Sequence, residues 1–103
     1  MRPSVGTTLV STTDATAVIV VRWGGAGADV TCGGAPMVDA RGPEAGATQQ
    51  PDPAQQDGTL LGKRYADEEL GVEVLCTKAG SGTLAVDGRP LAIKTAKPLP
   101  ASD

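Results

Sequence analysis

Fourteen glycines and eight prolines punctuate a chain of 103 residues, and no sustained 3.6-residue apolar period survives between them. That spacing leaves room for short strands joined by glycine-bearing turns, and the expectation is an all-β fold. Two segments carry the strand pattern. Residues 7–40 hold TAVIVVRW, ADVTC and MVDA, and residues 59–95 hold GTLLGKRY, GVEVLCT, GTLAV and LAIKT. Residues 41–58, RGPEAGATQQPDPAQQDG, offer almost nothing to bury and read as a linker or exposed loop. Residues 96–103, AKPLPASD, read as a proline-punctuated tail. The division is thus a first β unit over 1–40, a loop over 41–58, a second β unit over 59–95 and a tail over 96–103.

Turn signals sharpen the pattern. GGAG at 24–27 and AGSG at 79–82 each separate two apolar runs, as hairpin turns do. VDGRP at 86–90 contains the Asp-Gly pair of a tight turn. ADEEL at 66–70, followed by Gly71, is too short for an independent helix and reads as a surface turn. Alternation in VEVLCT puts Val72, Val74 and Cys76 on one face and Glu73, Leu75 and Thr77 on the other, so Cys76 is expected in the core. Trp23 and Tyr65 are the only aromatic residues, so small aliphatic side chains must fill that core.

The two β segments resemble each other. A shift of 55 positions lays Gly25 on Gly80, Gly27 on Gly82 and Gly33 on Gly88; one extra residue near Ala35 then brings Pro36 onto Pro90 and Met37 onto Leu91. Glycine and proline matches mark backbone geometry, and they point to a diverged internal duplication.

The second segment, RYADEELGVEVLCTKAGSGTLAVDGRPL, resembles a desulforedoxin, the small rubredoxin-type iron domain also found at the N-terminus of desulfoferrodoxins. Tyr65 takes the family's aromatic place, Gly71 the glycine after the first cysteine pair, residues 80–82 the glycine turn, and Gly88 and Pro90 the last turn. The family's four cysteine positions fall on Asp67, Leu70, Val86 and Asp87, and in the first segment on Thr12, Ala15, Thr31 and Cys32. The resemblance implies two packed units related by a pseudo-two-fold axis; a single small mixed barrel is the alternative.

A rubredoxin-type centre needs four thiolates, and Leu70, Val86 and Ala15 cannot donate electron pairs to a metal. No structural metal and no cofactor are therefore expected. Cys32, Asp67 and Asp87 are the weak candidates for a remodelled site. Hydrophobic burial would then replace the folding energy that the metal supplies in the family.

The chain has no histidine, so neither a Ser-His-Asp nor a Cys-His arrangement is available and catalysis by the chain alone is not expected. A net charge of −3 without a basic stripe argues against nucleic acid or an anionic membrane surface as partner. AVIVV, the longest apolar run, is far short of the roughly 20 residues of a membrane span. The N-terminus shows no apolar signal-peptide core, and the expected location is the cytoplasm, with both cysteines reduced. Trp23, beside a glycine-rich turn, is the candidate contact residue for a protein partner, with Met37 adding a soft apolar contact. The functional expectation is an accessory or protein-binding module, docked onto a larger enzyme subunit or a similar partner. The other readings are a redox or metal module built on Cys32 and a small enzyme or ligand carrier that uses the β core as a pocket.

Overall fold

The computed structural model describes residues 4–24, 29–46 and 48–94, and among them the regular elements are all strands. They are β1 (Thr8–Val10), β2 (Ala17–Arg22), β3 (Val30–Cys32), β4 (Ala35–Pro36), β5 (Val38–Asp39), β6 (Arg64–Asp67), β7 (Val72–Lys78), β8 (Leu84–Val86), β9 (Arg89–Pro90) and β10 (Ala92–Ile93). Every pairing is antiparallel. One sheet has the order β10-β6-β7-β2-β1-β5, the other β4-β3-β8-β9. The fold is all-β, as expected. Two sheets, and no closed barrel, are what the described residues form, so the mixed-barrel alternative is not the architecture.

The longest strands, β2 and β7, are also the richest in Val and Ile, residues whose branched side chains suit a pleated surface. They pair at the centre of the larger sheet. Their inward positions, Val18, Val20, Val72, Val74 and Cys76, join Leu9, Val30, Cys32, Met37, Tyr65, Leu84, Val86 and Leu91 in one core cluster. Cys76 is 1% exposed, on the face that alternation assigns it.

Both strand orders read the same from either end, with each strand of residues 4–40 matched by one of residues 60–94. Leu9↔Val18 recurs as Tyr65↔Val74, a shift of 56 residues. Thr31↔Pro36 recurs as Ala85↔Pro90, a shift of 54. Leu9↔Asp39 recurs as Tyr65↔Ile93. Ile19↔Leu75 and Thr31↔Ala85 lie at the two centres of this pattern. A constant shift of 55 therefore does not describe the equivalence. It sets Val18 on Glu73, and one residue of slip turns every side chain of a strand to the opposite face.

The expected hairpins at 24–27 and 79–82 are also corrected. β7 and β8 lie in different sheets, so 79–82 crosses between sheets; β2 and β3 also lie in different sheets and so form no hairpin, while residues 25–27 of the other segment are outside the described residues. Asp87-Gly88 is the tight turn expected in VDGRP, and Gly33-Gly34 is its counterpart in the first half; all four residues have positive φ (50°, 79°, 63° and 88°). That is the I′ pattern, whose twist suits two short antiparallel strands.

The segment read as a loop over 41–58 is bound to both halves. Gln49 N donates to Thr12 O, Asp52 N to Gly33 O and Gly58 N to Ser81 O, while Thr83 N donates to Gln55 O. Thr59 forms a bridge with Gly80. The segment is thus a strap over the turns at 11–14 and 33–34.

Candidate functional site

Two turn pairs, one in each half, occupy equivalent places in the strand pattern. In the first half Ser11 Oγ accepts the N–H of Thr13 at 3.0 Å and of Asp14 at 3.2 Å. In the second half Asp67 Oδ1 does the same for Glu69 at 3.0 Å and Leu70 at 3.1 Å. Each turn lies beside a hairpin, Cys32–Gly34 in the first half and Val86–Gly88 in the second. The backbones match, but the fillings differ.

The first filling is polar. Asp14 Oδ1 accepts the N–H of Thr16 at 3.0 Å, and Oδ2 accepts the N–H of Gly82 at 2.7 Å. The Cys32 thiol faces Asp14 Oδ1 at 3.9 Å, and Thr13 Oγ1 donates to Cys32 O at 3.3 Å. Burial acts to raise the Asp14 carboxyl. The N–H groups of Thr16 and Gly82, with the hydroxyls of Thr16 and Ser11, outweigh it, and the pKa lies below the ordinary value. Burial pushes the Cys32 thiol upward, and the neighbouring Asp14 charge adds to that. Cys32 is fully buried, so it is a protonated core thiol at neutral pH and a poor nucleophile. A β-carbon on Gly82 would stand 2.7 Å from Cys32 Sγ, and one on Gly34 would stand 2.7 Å from Asp52 Cβ. Glycine at these positions lets the 79–83 segment and the strap close over the thiol.

The second filling is apolar. Leu70 packs against the core cluster, of which Val86 is a fully buried member. Trp23 packs on the same cluster, and Gly24 N donates to Gly71 O at 3.1 Å, tying the end of β2 to this turn. Trp23 Nε1 is buried and has no hydrogen-bond partner.

The sequence candidates are scattered. Asp67 Oδ2 pairs with Arg89 Nε at 3.3 Å, and Arg89 also pairs with Glu69 at 3.1 Å. Exposed Asp87 uses Oδ1 to accept the N–H of Asp29 at 3.4 Å, in the other half. Among the described residues no group of three or more His, Cys, Asp or Glu side chains could hold a metal ion, and Cys32, Asp67 and Asp87 do not converge. Both cysteines are free and buried. Burial also raises the Cys76 thiol, which donates to Lys78 O at 3.2 Å. Met37 is 2% exposed inside the core and presents almost no surface to a partner. Trp23 is half-buried.

Sequence reasoning passed over Asp14 and the exposed Leu60 and Leu61. The signal for the first was the spacing Ser-x-x-Asp in STTD, a run prone to side-chain-capped turns. The second pair was visible as two adjacent leucines before a glycine. No helix among the described residues is long and apolar enough to cross a membrane. No family model, curated protein or solved structure matches the chain.

Proposed function

We propose that this chain is a non-catalytic protein-binding module, formed by tandem duplication of a desulforedoxin-like unit whose metal centres have been replaced by side-chain packing. The carrying observation is the pair of filled turn sites. One holds the Asp14 and Cys32 side chains together with Thr16, and at the other Leu70 and Trp23 pack against the hydrophobic core. The repeated strand pairings support the duplication. Carried over by those pairings, the resemblance's ligand positions in the first half become Ser11, Asp14, Cys32 and Gly33, which lie together. Neither thiol is exposed, and Asp14 is engaged by two backbone N–H groups, so no reactive side chain stands open at either site.

The docking surface in this reading is the Tyr65 end of the second half. Leu60 and Leu61 are 54% and 64% exposed, and Leu60 N donates to Tyr65 Oη at 2.9 Å. Ile93, 42% exposed, lies across from Tyr65. Exposed Lys63 follows Leu61 by two residues, and exposed Arg64 and Lys94, both paired with Glu73, flank Tyr65 and Ile93 in sequence. This chemistry suits a partner surface with an apolar centre and an acidic rim. In-host cross-linking followed by quantitative mass spectrometry tests it. A protein captured by the wild type and lost with the folded Leu60→Ser/Leu61→Ser variant supports the reading; an unchanged capture profile rejects it.

The second reading, a remodelled metal or redox site at Cys32, draws on the closeness of Cys32 and Asp14. Metal analysis of protein purified without chelators separates the two. One tightly held ion per chain, lost on Cys32→Val, favours the second reading.

A further inference from the structure

Each half carries the same turn ahead of its outer strands. Gly6 N donates to Val20 O at 2.8 Å and Thr7 N to Ser4 O at 3.0 Å; in the second half Gly62 N donates to Cys76 O at 2.9 Å and Lys63 N to Leu60 O at 3.3 Å. Both glycines have positive φ, 91° and 79°. Ser4 is therefore the counterpart of Leu60, and Val5 of Leu61. Ala40 N donates to Thr8 O at 2.9 Å and Lys94 N to Arg64 O at 2.7 Å, so each half also closes on an edge strand, β5 in the first and β10 in the second.

The hydrogen bonds match, but the side chains do not. Where the second half has Leu60, Lys63, Arg64, Ile93 and Lys94, the first has Ser4, Thr7, Thr8, Asp39 and Ala40. Asp39 puts a carboxylate on the β5 edge, where its Oδ1 accepts the N–H of Arg41 at 2.8 Å, and a charge on an edge strand discourages further pairing. At the same place β10 presents exposed Ile93, across from Tyr65, whose hydroxyl accepts the N–H of exposed Leu60.

Register decides which way this edge faces. Lys94 and Arg64 are a hydrogen-bonded antiparallel pair, so the next pair, Ile93↔Tyr65, is a non-hydrogen-bonded one. The N–H and C=O of Ile93 therefore point away from β6, to the side where β10, last in the strand order, has no neighbour among the described residues. Tyr65 is in the core cluster, so the Ile93 side chain opposite it lies on the core-side face, and Lys94 and Arg64 lie on the other. There these two cations share one carboxylate, that of Glu73, at 2.7 Å and 3.2 Å.

We infer, taking only the location from the docking reading, that the partner adds an extended segment as a further strand beside β10. Ile93 exchanges backbone hydrogen bonds with this segment, as edge strands do in strand addition. The partner side chain opposite Ile93 is apolar and packs on Ile93 and Leu60. Its neighbours along the segment turn to the other face and are acidic, meeting Lys94 and Arg64. The period of two thus gives the partner an acidic–apolar–acidic pattern.

The test is amide-resolved NMR on the full chain, titrated with acetyl-EVEVEVE-amide, acetyl-KVKVKVK-amide and acetyl-EEVVVEE-amide. In the dilute free protein the Ile93 amide should exchange quickly with solvent. The alternating acidic peptide is expected to shift that amide saturably and to slow its exchange. The lysine peptide should bind about fivefold more weakly, the size of two half-exposed charge contacts. The third peptide, with the composition of the first but no alternation, should also bind more weakly. Ile93→Pro removes an N–H that faces outward, so it should keep the wild-type melt and lose the acidic peptide; the wild-type titrations decide without it if it fails to fold. An Ile93 amide already protected in the dilute free protein, no saturable shift with the alternating acidic peptide, or equal binding of the lysine peptide overturns the inference. Protection that grows with protein concentration alone assigns the edge to a second copy and also overturns it. In the cross-linking experiment, a partner retained by folded Ile93→Pro and lost with Leu60→Ser/Leu61→Ser removes strand addition and leaves the docking reading standing; a partner retained by both variants rejects both.

Discussion

Asp14 reaches from the first half to the second, where its Oδ2 accepts the N–H of Gly82 at 2.7 Å. The same carboxylate holds Thr16 N and faces the Cys32 thiol, so one side chain joins a turn, a strand end and the opposite half. Removing it strands two backbone donors in a partly buried place. Asp14→Ala is expected to cost about 2–4 kcal/mol, the sum of two unpaired N–H groups at roughly 1–3 kcal/mol each with partial relief by water. Asp14→Asn should cost less, because the amide oxygen keeps one acceptor. Urea unfolding followed by circular dichroism measures both, and a loss under 0.5 kcal/mol for the alanine variant would contradict the linking role.

Acid sensitivity follows from two carboxylates. Glu73 is held below its ordinary pKa mainly by the Lys94 ammonium at 2.7 Å, against burial, with Arg64 at 3.2 Å adding to the effect. Asp14 is likewise held below its ordinary pKa. A group whose pKa falls on folding binds more protons unfolded, so it stabilises the fold above its unfolded pKa and loses that contribution as pH falls through the folded value. Stability should therefore be flat near neutrality and decline below about pH 4, near the unfolded carboxylate values. Glu73→Gln should reduce that slope and cost about 1 kcal/mol at pH 7, since its partners are half exposed. A melting temperature unchanged between pH 7 and pH 3 would refute this.

Trp23 separates a packing role from a contact role. Its ring lies on the core cluster while its Nε1 is buried without a partner. Trp23→Ala should cost about 3 kcal/mol, toward the low end for a tryptophan because the residue is only half buried. Trp23→Phe removes the orphaned N–H and keeps most of the ring, so it should lie within about 1 kcal/mol of the wild type. Equal losses for the two variants would show that the indole N–H matters more than the ring.

The thiols give a third contrast. Strand pairing makes Cys76 equivalent to Val20, and both are buried on the same face. Cys76→Val should change stability by less than about 1 kcal/mol, as near-isosteric core exchanges do. Neither thiol should react with Ellman's reagent in the native state, and both should react on unfolding. Fast labelling of one thiol in folded protein would place a cysteine nearer the surface than burial indicates.

The strand faces were legible because alternation needs no tertiary information, as Val72, Val74 and Cys76 illustrate. The matched strand pattern showed in Pro36/Pro90 and Met37/Leu91, whereas the pairing sets Gly34 rather than Gly33 on Gly88, and Gly25 and Gly27 lie outside the described residues. The connection from β2 to β3 spans residues 23–29, whereas that from β7 to β8 spans only 79–83. A shift of 55 is the mean of the true 56 and 54. Glycine-rich connections also look alike whether a chain folds back in its own sheet or crosses to another, so the glycines at 79–82 do not by themselves distinguish a hairpin from a crossing. The strap escaped notice because backbone groups hold it, and composition reports only side chains. Asp14 escaped because its partners are backbone N–H groups and a thiol far along the chain.

The shared sheets lead to a prediction about the halves. β2 and β7 pair at the centre of one sheet, β3 and β8 at the centre of the other, and the core draws on both halves. Separating the halves exposes Val18, Val20, Val74, Cys76, Leu84 and Val86 together and strips both central strand edges. A unit of roughly 40 residues without disulfide or metal seldom folds alone. Fragments 1–46 and 48–103 should therefore be unfolded as dilute monomers, each lacking a cooperative melt. Mixed at equal concentration they should recover the β spectrum of the intact chain, with a midpoint that rises with concentration. The second fragment has an added route. Its own β7 could pair with β7 of another copy about Leu75, the position opposite Ile19, so any folded form of it should be a dimer by light scattering. A monomeric fragment with a cooperative melt would show that each half is an independent domain and that the shared sheets are a docking contact between two finished folds.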